Sequence, residues 1–321
     1  MAESEPGQYA LEEQGPPPRV ARLPAGIRRI GDVAMRQVGI ATSSLRPPPD
    51  FLLIGAKRGG TTALYRALMR HPDVRELYPS FLHIKSPHYF DLNYGEGPAW
   101  YRSHFPIALP GQSRRWISGD ASPYYLFHPQ APNRAEREAP GARIIALLRD
   151  PVDRAVSHHW DRLKNGIEHL SLAEAIAAEP ARLAGERERL EADPNATSDR
   201  YEHFSYVARG RYAGQIRRWL DAYPADRLLV IRSEDLFTAP GPVFAQVLAF
   251  LGLTPLSLPV LQRHHGHADK PRLNDRQRRE LATVFAQPNA ELADLLGTPL
   301  WWDARGSTAL SSPGVVMGRR P

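Results

Sequence analysis

The chain has 321 residues, of which 42% are hydrophobic and 24% charged, an ordinary composition for a globular protein. This length fits one large α/β domain with a tail, or two small domains. No apolar run approaches the ~20 residues that a membrane-spanning helix needs. The chain contains no cysteine, which excludes disulfides and thiolate metal sites and favours a reducing cytoplasm. The acidic, polar segment Met1–Gln14 is unlike a secretory signal.

The formal net charge of +6 raises nucleic acid as a partner. Arginine alternates with glutamate along residues 186–189, which is typical of a solvated helix face. No nucleic-acid-binding motif accompanies the charge. We therefore expect no nucleic-acid partner, and we assign local basic clusters to a small polyanionic ligand.

Two proline runs, Pro16–Pro18 and Pro47–Pro49, enclose a weak helical pattern at the start of the chain. They predict a disordered, proline-rich arm over residues 1–49, part of which packs on the domain. We expect a single folded domain over residues 50–304 and a flexible tail over residues 305–321.

Short apolar runs predict strands buried on both faces, and amphipathic stretches follow them. The strands are predicted at residues 51–54, 116–118, 144–148 and 227–231, and the helices at residues 61–70, 152–164, 171–192, 206–222 and 243–251. Strands that alternate with helices indicate an α/β fold. We predict a single P-loop-like domain with a central parallel sheet flanked by helices on both faces.

The first strand ends in the turn Gly55–Thr62, with the sequence GAKRGGTT. Glycines let the backbone approach a phosphate, and the N-terminus of the next helix supplies N–H groups and a positive dipole end. The turn resembles a Walker A loop, but Thr61 follows Gly60 where that motif has lysine. The cations Lys57 and Arg58 lie before the glycine pair instead. This pattern favours anion binding over ATP-dependent chemistry; the alternative is a structural turn with a surface Lys-Arg pair.

The 144–148 strand ends in a second motif, Arg149-Asp150-Pro151, with Ser157 two turns into the next helix. Proline suits the first turn of a helix, where its missing N–H costs nothing. Arg149 can present a bidentate fork to a phosphate, and Ser157 can donate to the same group. Alone, this turn is equally consistent with a structural role.

Together the two motifs resemble those of the sulfotransferase superfamily, closest to the heparan sulfate sulfotransferases and their bacterial relatives. Four further segments extend the resemblance from Phe51 to Asp303: they are Lys85–Asp91, Gly119–Tyr125, Arg209–Tyr212 and Trp302-Asp303. The resemblance implies an enzyme that transfers a sulfuryl group from 3′-phosphoadenosine 5′-phosphosulfate (PAPS) to a hydroxyl or amine of a carbohydrate-like acceptor, without a metal.

In that family the first loop grips the 5′-phosphosulfate, and the arginine and serine of the second motif hold the 3′-phosphate. The resemblance therefore implies that the nucleotide is bound by Lys57, Arg58, Gly59, Gly60, Thr61, Thr62, Arg149, Ser157, Tyr212 and Lys270.

The chain departs from the family at three positions. The loop lysine is Arg58, which keeps the charge but does not readily donate a proton. The catalytic glutamate matches Ser86, a poor base by itself. A supporting lysine matches Ala121, and Lys85 is the candidate to replace its charge.

We expect His88 to act as the general base, because the unperturbed pKa of histidine lies near working pH. Asp91 and Asp120 are the alternatives, and Asp120 can instead orient the base or the acceptor. The catalytic set is then Arg58, Lys85, His88 and Asp120. Fixed cations align an in-line displacement and stabilise its charge.

Two other functions stay open at this point. One is a P-loop phosphotransferase that uses ATP and magnesium, against which the position of the lysine argues. The other is a catalytically inactive nucleotide-binding module, for which Ser86 and Ala121 argue.

Overall fold

The computed structural model describes residues 25–111, 113–257, 273–302 and 314–316. Its strands are β1 Phe51–Gly55, β2 Val74–Arg75, β3 Ile117–Asp120, β4 Arg143–Leu148, β5 Leu228–Arg232 and β6 Gly314–Val316. They form one sheet in the order β2-β3-β1-β4-β5-β6. β1 to β5 are parallel, and β6 adds an antiparallel pairing to β5.

Helices precede, connect and cover these strands. They are α1 Ala25–Ala41, α2 Thr61–Leu68, α3 Gly97–Arg102, α4 Ala131–Glu138, α5 Pro151–Lys164, α6 Leu172–Leu183, α7 Glu186–Ala192, α8 Asp199–His203, α9 Tyr212–Ala222, α10 Asp235–Thr238, α11 Pro240–Leu251 and α12 Asp275–Leu296. No helix among the described residues is long and apolar enough to cross a bilayer.

The central strands are apolar on both faces because both faces are covered by helices. In β1, Leu52 and Ile54 pack into a cluster with residues of α4, α9 and α12. Phe51 and Leu53 point to the other face and pack with residues of α2 and α11. The predicted parallel α/β sheet with helices on both faces is confirmed.

The predicted strands and the helices that follow them are also confirmed, with two local differences. The stretch 171–192 is two helices, because the chain turns between α6 and α7 at Gly185, which has a left-handed φ of 73°. The stretch 206–222 becomes α-helical only at Tyr212.

The ends of the domain differ from the sequence prediction. Helix α1 lies within the arm predicted to be disordered, and Arg36 donates to the Ser103 hydroxyl at 2.8 Å, just beyond α3. A Cβ on Gly39 would lie 2.9 Å from Ser103, so the two segments are in close contact. Residues 25–41 thus form a helix, in line with the helical pattern, and this helix contacts the segment after α3. Likewise β6 lies in the predicted flexible tail but pairs with β5.

The sheet order brings the predicted motifs to one edge. β1 has β3 on one side and β4 on the other. The segments that follow these three parallel strands therefore leave the sheet at the same edge, which is where open α/β sheets bind their ligands.

Candidate active site

The loop between β1 and α2 is held against β4 by its backbone. The Ala56 N–H donates to the Leu147 carbonyl at 2.7 Å, and the Gly59 N–H donates to the Ala56 carbonyl at 2.9 Å. A Cβ on Gly59 would lie 2.8 Å from the Leu147 oxygen and 2.9 Å from the Ala56 oxygen. Gly60 has a φ of 95°, in the left-handed region that favours glycine. Both glycines are therefore required by the path of the loop.

The N-terminus of α2 carries the features of an anion site. Gly60 occupies the N-cap position and supplies no side-chain cap to the first turn. Thr61 is buried and Thr62 is half-buried. The Lys85 ammonium donates to the Thr62 hydroxyl at 3.3 Å, so a cation from a distant segment lies at this helix end. Backbone N–H groups, a helix dipole and an ammonium together favour a bound anion.

The second motif forms a capped helix start beside this loop. Asp150 caps α5 by accepting from the Val152 N–H at 2.8 Å and the Asp153 N–H at 3.4 Å. The Arg149 guanidinium donates to the Arg58 carbonyl at 3.1 Å. The Ser157 hydroxyl accepts from the Arg58 side chain at 3.2 Å. The two motifs, separate in sequence, are thus in direct contact.

The Arg58 side chain takes a direction that the sequence did not indicate. Sequence reasoning assigned Arg58 to the leaving 5′-phosphate, but its guanidinium contacts Ser157 and forms a 3.0 Å ion pair with Asp161. Asp161 also accepts from Arg162 at 2.6 Å. Burial raises the pKa of Asp161, but the positive charges of Arg58 and Arg162 outweigh it and hold that pKa below its usual value.

Lys57 lies near α5 and α8. Burial is the first cause of the low pKa of His158 and of the His203 pKa of about 3, and the charge of Lys57 is the next cause for both. His203 Nδ1 lies 3.0 Å from the Arg162 guanidinium. Because arginine can only donate, His203 accepts there, as a neutral imidazole.

His88 lies in the segment between β2 and α3 and is supported by a carboxylate. Its Nδ1 lies 3.2 and 3.1 Å from the two Asp91 oxygens. The Ser122 hydroxyl donates to Asp91 at 2.6 Å. Asp91 is fully buried, whereas the His88 side chain is 23% exposed. Burial raises the pKa of Asp91, but His88 and the Ser122 hydrogen bond outweigh it and lower that pKa.

This arrangement can orient a general base. A carboxylate that accepts from Nδ1–H keeps the other ring nitrogen, Nε2, as the basic atom of the neutral imidazole. The structure thus brings His88 together with Asp91, which the sequence named only as an alternative base.

Asp120 is fully buried at the end of β3, which fits its predicted role as an orienting group better than that of a direct base. One carboxylate oxygen accepts from the Tyr101 hydroxyl at 3.0 Å and the Tyr125 hydroxyl at 2.8 Å. Burial raises the pKa of Asp120 to about 6. The Tyr125 hydroxyl lies 3.3 Å from Ser86, which accepts from the His88 N–H at 3.0 Å. Asp120 is therefore linked to the His88 backbone through Tyr125 and Ser86.

Two predicted nucleotide contacts have other outcomes. Tyr212 is buried, and its hydroxyl donates to the Arg149 carbonyl at 2.9 Å, so it supports the backbone of the second motif. Lys270 lies outside the described residues. Within the described part of the chain, no group of three or more acidic or histidine side chains is placed to hold a metal ion.

Sequence reasoning missed Asp161 and Ser122. Asp161 lies one helical turn after Ser157 on α5, and this i, i+4 spacing was the available signal. Ser122 contacts His88 and Asp91 only through the fold, so no local pattern indicates it.

Comparisons with known proteins identify a family for this chain. A family profile described as "Sulfotransferase domain" matches residues 48–280. Heparan sulfate glucosamine 3-O-sulfotransferase 6 of Mus musculus is 31% identical over 253 residues, which are 76% of this chain and 66% of that protein. Bifunctional heparan sulfate N-deacetylase/N-sulfotransferase 3 of Homo sapiens is 35% identical over 210 residues, which are 64% of this chain and 22% of that protein.

Among solved structures, a sulfotransferase from Alicyclobacillus acidocaldarius superposes with a TM-score of 0.60 at 28% identity, and the match covers 78% of this chain and 97% of that one. The chain spans less than two thirds of the length of the two curated relatives, and almost the whole of this bacterial structure.

Proposed function

The chain belongs to the sulfotransferase family, and from this premise we propose that it transfers a sulfuryl group from PAPS to a hydroxyl or amine of a carbohydrate-like acceptor. The observation that carries the proposal is the contact between the two motifs: Arg149 and Ser157 both bond to Arg58 of the loop. Motifs assigned to opposite ends of one nucleotide must be neighbours if they bind the same molecule.

In this proposal the nucleotide lies across the edge of the sheet between β1 and β4. Its 5′-phosphosulfate meets the N-terminus of α2, where Lys85 and Thr62 supply a cation and a hydroxyl. Its 3′-phosphate meets Arg149 and Ser157, which can each donate to a phosphate oxygen.

The reaction is an in-line displacement at sulfur. The acceptor oxygen or nitrogen forms a bond to sulfur while the bond from sulfur to the bridging phosphate oxygen breaks. His88, oriented by Asp91, takes the acceptor proton. The Lys85 ammonium stabilises the charge that grows on the leaving phosphate, a contribution that preorganised donors make at about 3 kcal/mol each. Adenosine 3′,5′-bisphosphate leaves as the second product.

Two observations favour this activity over the alternatives. Thr61 occupies the position of the Walker lysine, which disfavours ATP-dependent phosphoryl transfer. The His88–Asp91 pair supplies an oriented base although Ser86 replaces the family glutamate, which disfavours an inactive module. The carbohydrate-like acceptor and the cytoplasmic location stay predictions.

A transfer assay tests the proposal directly. PAPS labelled at sulfur is incubated with a panel of hydroxyl- and amine-bearing oligosaccharides, and ATP labelled at the γ-phosphate is run in parallel. We expect label transfer from PAPS alone. Transfer from ATP would support the phosphotransferase, and tight nucleotide binding with no transfer across the panel would support the inactive module.

The nucleotide assignment is tested by Arg149→Ala. Charge-assisted hydrogen bonds contribute about 1.5–3 kcal/mol, so the affinity for adenosine 3′,5′-bisphosphate should fall roughly 10- to 100-fold. The affinity for adenosine 5′-monophosphate should change little. Arg217→Ala, which removes an exposed arginine paired with Glu291, is the matched control. Equal losses for both nucleotides would contradict the assignment.

A further inference from the structure

One carboxylate beside the two predicted nucleotide motifs contacts two arginines. Asp161 accepts from Arg58 at 3.0 Å through one oxygen and from Arg162 at 2.6 Å through the other. The Arg58 and Asp161 side chains are 12% and 19% exposed, so solvent weakens this ion pair only in part. Asp161 lies one turn after Ser157 on α5, on the side of the helix that faces the loop.

These contacts fix the orientation of the Arg58 side chain. Its Nε donates to Ser157 at 3.2 Å while its Nη1 donates to Asp161. The guanidinium is planar, so two contacts on different nitrogens determine the direction of the whole fork. The Arg58 guanidinium is therefore held beside Ser157 of the second motif, although Arg58 belongs to the first motif.

We propose that Asp161 is a positioning residue that holds the Arg58 guanidinium beside Ser157, where Arg58 becomes a third donor to the 3′-phosphate and raises the preference for 3′-phosphorylated nucleotides. The proposal rests on the proposed function, because it assumes that Ser157 and Arg149 meet the 3′-phosphate.

The physical reason is preorganisation. A long arginine side chain loses rotamer freedom when a ligand binds, and that loss weakens binding. A side chain already held by a carboxylate has lost this freedom before the ligand arrives. Asp161 also has an opposing effect, since its charge repels a phosphate. The experiment separates the two effects, because they change the affinity in opposite directions.

Asp161→Asn tests the proposal, with affinities measured for adenosine 3′,5′-bisphosphate and adenosine 5′-monophosphate. The ratio of the two affinities measures the contribution of the 3′-phosphate. We expect this ratio to fall about tenfold, the effect of one charge-assisted hydrogen bond. Asp161→Glu, which keeps the charge, should restore most of the ratio. Glu191→Gln, which breaks an exposed 2.8 Å pair with Arg187, is the control.

A second pair of variants shows whether Asp161 acts through Arg58. Arg58→Ala should lower the same ratio, and Asp161→Asn added to Arg58→Ala should lower it no further. An additional loss in the double variant would overturn the proposal, as would an unchanged or increased ratio in Asp161→Asn. A merely structural role would lower both affinities together and leave the ratio unchanged.

The outcomes for the unmodified protein separate this inference from the proposed function. If the unmodified protein strongly prefers the bisphosphate and Asp161→Asn keeps this preference, only the positioning role is overturned. An unmodified protein that binds both nucleotides equally overturns both.

Discussion

The nucleotide side of the proposed site, formed by residues 55–62 and 149–157, and its acceptor side, formed by residues 85–91 and 119–125, are built by different kinds of contact. On the nucleotide side, the Gly59 backbone is packed against β4, and Asp150 caps α5, so the geometry follows from short segments next to strands. On the acceptor side, His88 depends on Asp91, and Ser86 depends on Tyr125 and through it on Asp120. These contacts join side chains to one another, within one segment for His88 and Asp91 and across segments for Ser86 and Tyr125. We therefore expect substitutions in the nucleotide loop to disturb the site, because its backbone is closely packed. On the acceptor side we expect one polar side chain to be able to replace another.

The largest expected effect is the loss of the general base on the acceptor side. His88→Ala should lower kcat by about 10²- to 10⁴-fold, the usual contribution of a general base, while nucleotide affinity stays the same. Steady-state kinetics and a nucleotide titration measure the two quantities. His83→Ala is the control, since His83 is 66% exposed and pairs with Glu76. An unchanged pH–rate profile would transfer the role of base to Asp91.

A second effect concerns stability on the acceptor side. Burial raises the pKa of Asp120 to about 6 from 3.8. Between these values the folded protein retains a proton that the unfolded chain has released, so the Asp120 contribution to stability falls as pH rises from about 4 to 6. A shift of this size corresponds to about 3 kcal/mol at neutral pH.

Asp120→Asn removes this titration. The free energy of unfolding of the variant, relative to the unmodified protein, should therefore rise with pH across that interval. Urea unfolding at pH 4.5 and 7.5 measures the difference, and Asp221→Asn, which changes an exposed carboxylate, is the control. A difference that does not change with pH would show that Asp120 does not titrate there.

The corresponding change on the nucleotide side is Gly59→Ala. The added methyl would lie within 3 Å of the Leu147 oxygen of β4 and of the Ala56 oxygen of the loop, so β4 or the loop must shift. Overpacking of this kind costs about 1–3 kcal/mol, and we expect both the melting temperature and the nucleotide affinity to fall. Gly141→Ala is the control, because a Cβ there has nothing within 4 Å. Normal nucleotide affinity in Gly59→Ala would show that the loop is adaptable.

The smallest expected effect comes from Ser86→Ala. The variant removes the hydroxyl that accepts from the His88 N–H, a hydrogen bond of about 1 kcal/mol. We expect kcat to fall about fivefold at unchanged nucleotide affinity. A loss as large as that of His88→Ala would mean that Ser86 takes a direct part in the reaction.

The sequence predicted the two motifs better than the side-chain contacts around them, for a physical reason. A buried strand followed by a glycine turn specifies its own geometry, so the loop and the second motif were found from local patterns. The direction of the Arg58 side chain depends on Asp161, and the burial of Asp120 depends on Tyr101 and Tyr125. Such contacts form only when the chain is folded, so the residue type at a single position does not predict them.

The same limit applies to the fold. The apolar runs of β1 and β4 identified the centre of the sheet, because strands buried on both faces contain few polar residues. The two-residue strand β2 has too few positions for a pattern. Helix α1 carried a helical pattern, but the proline runs on either side of it favoured an assignment to disorder.

The pairing of β6 with β5 has a practical consequence for protein production. A shortened chain that stops at residue 304, the predicted end of the domain, would leave the outer backbone groups of Leu229–Ile231 without the partners that residues 314–316 provide. An uncovered strand of this kind offers a template on which other copies can add. Expression plasmids should therefore extend past Val316.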